Sequence, residues 1–138
     1  MKRVLRKKVL LVDDSRIVRE RLRALISELP GVEVIGEASN VSEGIRKIRR
    51  LRPHIVVLDI SMPGGNGIQM LEAIKRPRRA GPAIIMLTNF AHEAYRERCL
   101  ELGAAYFFDK SAEFEEAVEM IKELSQTPFR SSARLVRL

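Results

Sequence analysis

Three aspartates, a threonine and a lysine stand at the ends of four short apolar runs. Val9–Val12 runs into Asp13 and Asp14, Ile55–Leu58 into Asp59, Ala83–Leu87 into Thr88, and Ala105–Phe108 is followed closely by Lys110. Uninterrupted apolar runs of this length read as strands buried on both faces of a parallel sheet, whose working crevice lies beyond the carboxyl ends of the strands. The five side chains are therefore expected at one edge. Three carboxylates gathered there repel one another, so the site needs shared protons or a cation. The donors are all oxygen, with no histidine or cysteine among them, which favours Mg2+ over Zn2+ and in turn suggests phosphate. In that chemistry Asp59 is a carboxylate nucleophile and Asp13 and Asp14 hold the metal. Lys110 ion-pairs with phosphoryl oxygens, and the Thr88 hydroxyl donates a hydrogen bond.

Each residue also has an ordinary structural use. Asp14 or Ser15 fits as the cap of a first helix, Asp59 as the opening of a turn toward Pro63, Thr88 as the cap of a fourth helix, and Lys110 as a solvated charge. What outweighs these separate explanations is that four strand ends carry the right groups together.

The elements that must position them alternate along the chain. From Ser15 the apolar residues Val18, Leu22, Leu25, Ile26 and Leu29 fall at helical spacing until Pro30-Gly31. Val32–Gly36 reads as a strand, Val41, Ile45, Ile48 and Leu51 mark a helix stopped by Pro53, and Ile55–Leu58 is the third strand. After the turn-rich stretch Pro63–Gly67 come a helix through Leu71 and Ile74, a strand at Ala83–Leu87, a helix at about 91–102, a strand at Ala105–Phe108, and a last helix carrying Phe114, Val118, Ile121 and Leu124. Five strands alternating with five helices imply an α/β fold: a doubly wound, five-stranded parallel sheet with helices on both faces. The flavodoxin-like order 2-1-3-4-5 is the common solution.

The chain of 138 residues suits one domain. It divides into a basic N-terminal extension at 1–8, a domain at 9–125 and a basic C-terminal tail at 126–138. The single cysteine, Cys99, precludes an internal disulfide, and no apolar run approaches a membrane span. The basic start resembles a signal-peptide n-region, but Val9–Val12 leads straight into Asp13 and Asp14. A cytoplasmic protein with no membrane partner is expected.

The net charge of +7 and pI near 10.1 raise the question of nucleic acid. Residues 1–91 carry 18 basic and 9 acidic side chains, residues 92–123 carry 4 and 9, and residues 124–138 carry 3 and none. The basic clusters are Arg46, Lys47, Arg49, Arg50 and Arg52, and Arg76, Arg78 and Arg79. The first alternates with Ile45, Ile48 and Leu51, as the solvated face of a packed helix does. His54 and His92 stand apart from the acidic edge and read as structural.

The motifs Leu10-Leu-Val-Asp-Asp14, Leu58-Asp-Ile-Ser-Met-Pro63 with Gly67, Met86-Leu-Thr88 and Asp109-Lys110 resemble the receiver domain of two-component response regulators over about residues 8–125. The stretch Glu33–Asn40 is similar to the subgroup usually fused to a helix-turn-helix output domain. The resemblance implies a phosphoacceptor at Asp59, receiving its phosphoryl group from a histidine kinase or histidine phosphotransfer protein. It further implies Mg2+ held by Asp14 directly, by Asp13 through water, by Asp59 and by the backbone carbonyl of Ser61. Thr88 and Phe107, rather than Tyr106, would form the switch, and the helix 4–strand 5–helix 5 face would bind a downstream protein. Ser111 follows Lys110 where the family often has proline, and Asn89 follows Thr88 where a small residue is common.

Two rivals are weighed against this. A haloacid-dehalogenase-like phosphatase needs a second aspartate two positions after its nucleophile, where this chain has Ser15 after Asp13 and Ser61 after Asp59. The alternative of a DNA-associating regulator using the basic surface lacks a helix-turn-helix after the domain, so specific nucleic-acid binding is not expected.

Overall fold

A computed structural model of the chain describes residues 6–74 and 81–127. The start of the basic extension, the Arg76, Arg78 and Arg79 cluster and the tail from 128 onward lie outside them. Strands β1 (Lys7–Val12), β2 (Val32–Ala38), β3 (Ile55–Leu58), β4 (Ala83–Thr88) and β5 (Tyr106–Asp109) alternate with helices α1 (Arg16–Ile26), α2 (Val41–Leu51), α3 (Gly67–Ile74), α4 (Glu93–Glu101) and α5 (Phe114–Ser125). All pairings in the main sheet are parallel and its order is β2-β1-β3-β4-β5, the flavodoxin-like arrangement expected. The registers bring Val12 beside Leu58, Leu58 beside Met86, and Thr88 beside Asp109, so the polar residues after each strand share one edge.

The continuous apolar runs resolve into two faces because successive strand residues point to opposite sides. Leu10, Val12, Val56 and Leu58 pack with Ile48, Met70, Leu71 and Cys99, under α2, α3 and α4. Val9, Leu11, Ile55 and Val57 pack with Leu22, Ile26, Phe114 and Ile121, under α1 and α5.

Several boundaries differ from the periodicity. β1 begins at Lys7, two residues before its apolar run, and so takes up two residues of the basic extension. Lys7 is nonetheless buried: its Nζ donates to Leu124 O and to Thr127 Oγ1, each at 2.6 Å, tying the strand to the end of α5. α1 stops at Ile26 although Leu29 continues the helical spacing. Pro30 disfavours helical backbone before it, and the chain leaves through turns at Glu28 and Leu29. α2 closes on Arg52 in the left-handed region, φ 51°, immediately before Pro53.

The turn-rich segment after β3, where the composition predicts a turn alone, is a small antiparallel hairpin pairing Ser61–Met62 with Gly65–Asn66. Gly64 takes φ 78° at its tip. Asn66 and Gln69 then cap α3 reciprocally: each side-chain oxygen accepts the other residue's amide N–H at 2.9 Å. Gly67 opens that helix against the phosphoacceptor candidate. Its N–H donates to Ile60 O at 2.7 Å, and a Cβ there would overlap the Asp59 carbonyl oxygen.

Two predictions follow from this packing. Gly67→Ala must push α3 off the Asp59 backbone, and should lower stability in urea unfolding by about 1–3 kcal/mol, as overpacking does. His54 bridges β1 and the start of β3: its Nδ1 accepts from Lys8 N–H and its backbone N–H donates to Lys8 O, both at 2.9 Å. Burial, aided by the charges of Lys8 and Lys7, holds its pKa below the ordinary 6.5. The fold therefore favours neutral His54, whose contribution is full above pH 6.5 and lost as pH falls further. His54→Asn, which keeps an acceptor, should flatten the fall in melting temperature between neutral pH and the histidine's acidic range.

Candidate functional site

The carboxyl edge of the sheet gathers the residues singled out by their spacing. Asp13 and Asp59 are 4% and 5% exposed, Thr88 is fully buried, and Asp14 faces solvent. One carboxylate oxygen from each of Asp13, Asp14 and Asp59 lies within 4.8 Å of the other two. The two buried carboxylates are held alike. Asp13 Oδ1 accepts from Ser15 N–H at 2.8 Å and Asp59 Oδ1 from Ile60 N–H at 2.7 Å. Their other oxygens share the Lys110 ammonium, at 2.8 Å from Asp13 Oδ2 and 3.0 Å from Asp59 Oδ2.

The electrostatics follow from burial under these contacts. Removal from water pushes Asp13 above its usual carboxylate pKa, even though the Lys110 and Ser15 hydrogen bonds and the Lys110 charge pull it down. Burial alone would lower Lys110, but the hydrogen bond to Asp13 and the charges of Asp59 and Asp13 outweigh it and hold the amine above its ordinary value. Lys110 is thus a fixed cation between two anions. An oxygen-only donor set that already draws an ammonium between two carboxylates fits a small, hard divalent cation.

The backbone holds these groups in place. Asp13 N–H donates to Ala38 O and Asp59 N–H to Val12 O, both at 3.0 Å, and Lys110 N–H donates to Thr88 O at 2.8 Å. Arg19, which its position in the sequence does not single out, donates from Nη1 to Asp13 O and from Nε to Glu37 Oε1, each at 2.7 Å. Its place within α1 gave no signal, because the pairing depends on the side-by-side seating of β1 and β2. After Lys110, Asp109 Oδ1 accepts from both the Ser111 N–H and hydroxyl at 2.9 Å, while Glu113 Oε1 accepts from Asp109 N–H. This turn shapes the lysine loop where the family often has proline.

The ordinary uses are partly realised. Ser15 caps α1, its Oγ accepting from Val18 N–H at 3.2 Å, whereas the α4 cap position falls on His92 and not on Thr88. Thr88 Oγ1 accepts from Phe90 N–H at 3.1 Å. Ser61 lies exposed in the hairpin that follows Asp59. Phe107 is 5% exposed on the α4 side of the sheet beneath Arg96, whose guanidinium lies 5.4 Å from the ring centroid, whereas Tyr106 packs toward the opposite face.

Opposite signs of stability change are expected from the two sides of the ion cluster. Lys110→Met leaves two buried carboxylates facing each other and should cost about 3 kcal/mol in chelator-treated buffer at neutral pH. Asp13→Asn keeps an oxygen for Ser15 N–H while removing a charge that burial disfavours, and should stabilise the protein. Urea unfolding of both variants checks the pair; equal destabilisation by each would contradict this electrostatic account.

Comparison with known proteins agrees with this geometry. The response regulator receiver domain family matches residues 9–122. The chain is 34% identical over 117 residues to the response regulator GacA of Pseudomonas syringae pv. syringae (strain B728a), covering 83% of this chain and 53% of that protein. It is 36% identical over 119 residues to the transcriptional regulatory protein LiaR of Bacillus subtilis (strain 168), covering 86% and 56%. The chain therefore spans about half the length of these curated relatives. Among solved structures, it superposes on a LuxR-family two-component response regulator from Aurantimonas sp. SI85-9A1 with TM-score 0.78 at 34% identity, covering 87% of this chain and 85% of that one. It superposes on the response regulator domain of Thermotoga maritima CheB with TM-score 0.75 at 31% identity, covering 90% and 95%. A parallel sheet in receiver order, an acidic edge bridged by a lysine, and a family match running from the first strand into the last helix lead to one assignment: the chain belongs to the response regulator receiver domain family.

Proposed function

We propose that this receiver domain accepts a phosphoryl group on Asp59 from a histidine kinase or histidine phosphotransfer protein and relays its change of state to a protein partner. The observation that carries the reading is the Asp59 carboxylate itself. Ile60 N–H fixes one oxygen, and the other rests on Lys110 beside Asp13 and Asp14. In the transfer, an Asp59 oxygen attacks phosphorus as the phosphorus–nitrogen bond of phosphohistidine breaks, and the imidazole leaves with that electron pair. Asp13, Asp14, Asp59 and the Ser61 carbonyl would hold Mg2+, which when bound neutralises phosphoryl oxygens. Lys110 releases its contact with Asp59 and pairs with the new dianion. The Thr88 hydroxyl turns to donate to a phosphoryl oxygen, giving up its bond from Phe90 N–H.

That exchange supplies the switch. Movement of Thr88 frees space and strains the Phe90 turn, and Phe107, two residues before Asp109 in the neighbouring strand, follows it by changing rotamer. The α4–β5–α5 face then presents a different surface. Exposed Phe90, Tyr95 and Leu100 give that face apolar contacts, and Glu115, Glu116, Glu119 and Glu123 give it negative charge. A basic or mixed protein surface fits it, and nucleic acid does not. The working unit is residues 9–125. Among the described residues no helix is long and apolar enough to cross a membrane, and we read the protein as a cytoplasmic switch rather than an enzyme acting on a separate substrate.

Incubation with Mg2+ and acetyl phosphate, followed by intact mass, should show one phosphoryl adduct on the wild type and none on Asp59→Asn. Asp14→Ala should need far more Mg2+ for the same labelling. Full labelling of Asp59→Asn would sink the assignment of the acceptor, and an unchanged Mg2+ requirement in Asp14→Ala would sink the metal role.

A further inference from the structure

The arginines among the described residues divide sharply by partner. Arg6, Arg16, Arg19, Arg23, Arg96 and Arg98 all form ion pairs with glutamates, and Arg21 stacks on Phe114 with its guanidinium 3.9 Å from the ring centroid. Arg46, Arg49, Arg50 and Arg52 differ: all four are exposed, and none of their guanidiniums has a hydrogen bond or ion pair among the described residues. They sit on α2 and its C-terminal cap. The one carboxylate on that helix, Glu43, feels the charge of Arg46, but it is already engaged by Ser39 N–H at 3.1 Å and by Lys47 at 3.3 Å.

Three of these guanidiniums border an open depression of about 730 Å³, floored by the half-buried Val41 and Ile45 and closed by Gly64 at the tip of the hairpin after Asp59. Its lining includes none of the three aspartates of the acidic edge and no residue of α4, β5 or α5. The spacing of Arg46, Arg49 and Arg50 puts them on adjacent turns of one helix face, flanking Ile45. Helix-end partial charge accounts for the comfort of Arg49 and Arg50 in the last turn, but not for Arg46, nor for an apolar floor left open between them.

We propose that the α2 face is a docking surface for an acidic amphipathic segment of another protein, which sets an apolar side chain on Val41 and Ile45 and its carboxylates against Arg46, Arg49 and Arg50. Guanidiniums without partners call for carboxylates, since bidentate pairing supplies both charge and geometry. The apolar floor selects a peptide over nucleic acid, whose phosphate backbone gains nothing from burying valine and isoleucine. The hairpin places the surface next to the segment that carries Asp59, because a Cβ on Gly65 would approach Val41 Cγ2 to 3.2 Å. The docking does not require Asp59 chemistry, and a partner held there would touch the hairpin after Asp59 at Gly64.

The probe is a short fluorescein-labelled peptide in which leucines alternate with glutamate pairs, titrated by anisotropy against the full chain at roughly 0.15 M salt. Asp59→Asn serves as a parallel sample, so that the outcome is separate from that of phosphorylation. Binding is expected to wild type and Asp59→Asn alike. It should weaken about tenfold in the triple variant Arg46→Gln, Arg49→Gln, Arg50→Gln, from the loss of three rim charges. Ile45→Ser should weaken it too, and Arg16→Gln, on another face, should not. Glutamine is a good helix former, and urea unfolding of the triple variant confirms that the fold persists. The proposal is overturned if the peptide does not bind, if the triple variant binds like wild type, or if random-sequence duplex DNA displaces the peptide at this salt. It is equally overturned if sedimentation shows the α2 face occupied by a second copy of this chain.

Discussion

The constraint on which the site depends is a single ammonium shared by two buried carboxylates from distant parts of the chain. Lys110 lies 97 residues from Asp13 and 51 from Asp59, yet its Nζ is within 3.0 Å of both. The strand order β2-β1-β3-β4-β5 brings the three together. β1 and β3 must be neighbours for their terminal aspartates to meet, and β5 must lie one strand beyond β4 for the lysine to reach back across Thr88. The carboxylates pay for their burial with that contact, and a lone buried pair would otherwise repel strongly. The fold and the chemistry are therefore one problem, in which the sheet makes an unfavourable cluster and the lysine makes it tolerable.

Rigidity around the cluster comes from backbone more than from side-chain packing. Asp59 is fixed by Val12 O behind it, by its own Ile60 N–H, and by α3 starting directly on its carbonyl at Gly67. Asp13 is fixed by Ala38 O and by Arg19, which Glu37 in turn orients. Such groups need little reorganisation when charge arrives, which is how polar sites gain strength in a dry environment. Thr88 and Phe107 contrast with this. Among the described residues the Thr88 hydroxyl holds one local acceptor bond, from Phe90 N–H, and Phe107 lies beneath an arginine of a surface helix, so the pair proposed as the switch is held differently from the phosphoacceptor candidate.

Most of this was legible in the sequence because it rests on strand ends. Buried parallel strands announce themselves as unbroken apolar runs, and a polar residue directly after each run falls at the working edge regardless of loop length. The features that were not legible are those that depend on which strands become neighbours. Arg19 and Glu37 are ordinary surface charges until β1 and β2 pair, and Lys7 reads as part of a basic extension until α5 returns to cover it. The hairpin after Asp59 is not legible because two-residue strands carry no periodicity, and Asn66–Gln69 capping is visible only once the helix start is known. The helical spacing overextends α1 because Leu29 faces the core from a turn as readily as from a helix.

The distribution of charge adds a second layer to this architecture. α2 packs on one face of the sheet and α5 on the other, and each carries charge with no counter-ion among the described residues: guanidiniums on α2, and the carboxylates of Glu115, Glu116, Glu119 and Glu123 on α5. Charges of one sign on a helix repel, so leaving them unpaired has a cost that neighbouring glutamates or lysines would remove at no loss to the core. Elsewhere in this protein they do so, from Arg6 with Glu33 to Arg98 with Glu72. The net charge of +7 is thus a poor guide to partners, because it averages two faces of opposite sign. A polyanion drawn to the basic side meets repulsion as soon as it extends toward α5, and a basic protein surface drawn to α5 meets the same near α2. The proposed partners of the two faces would differ in charge, and the sheet stands between α2 and α5.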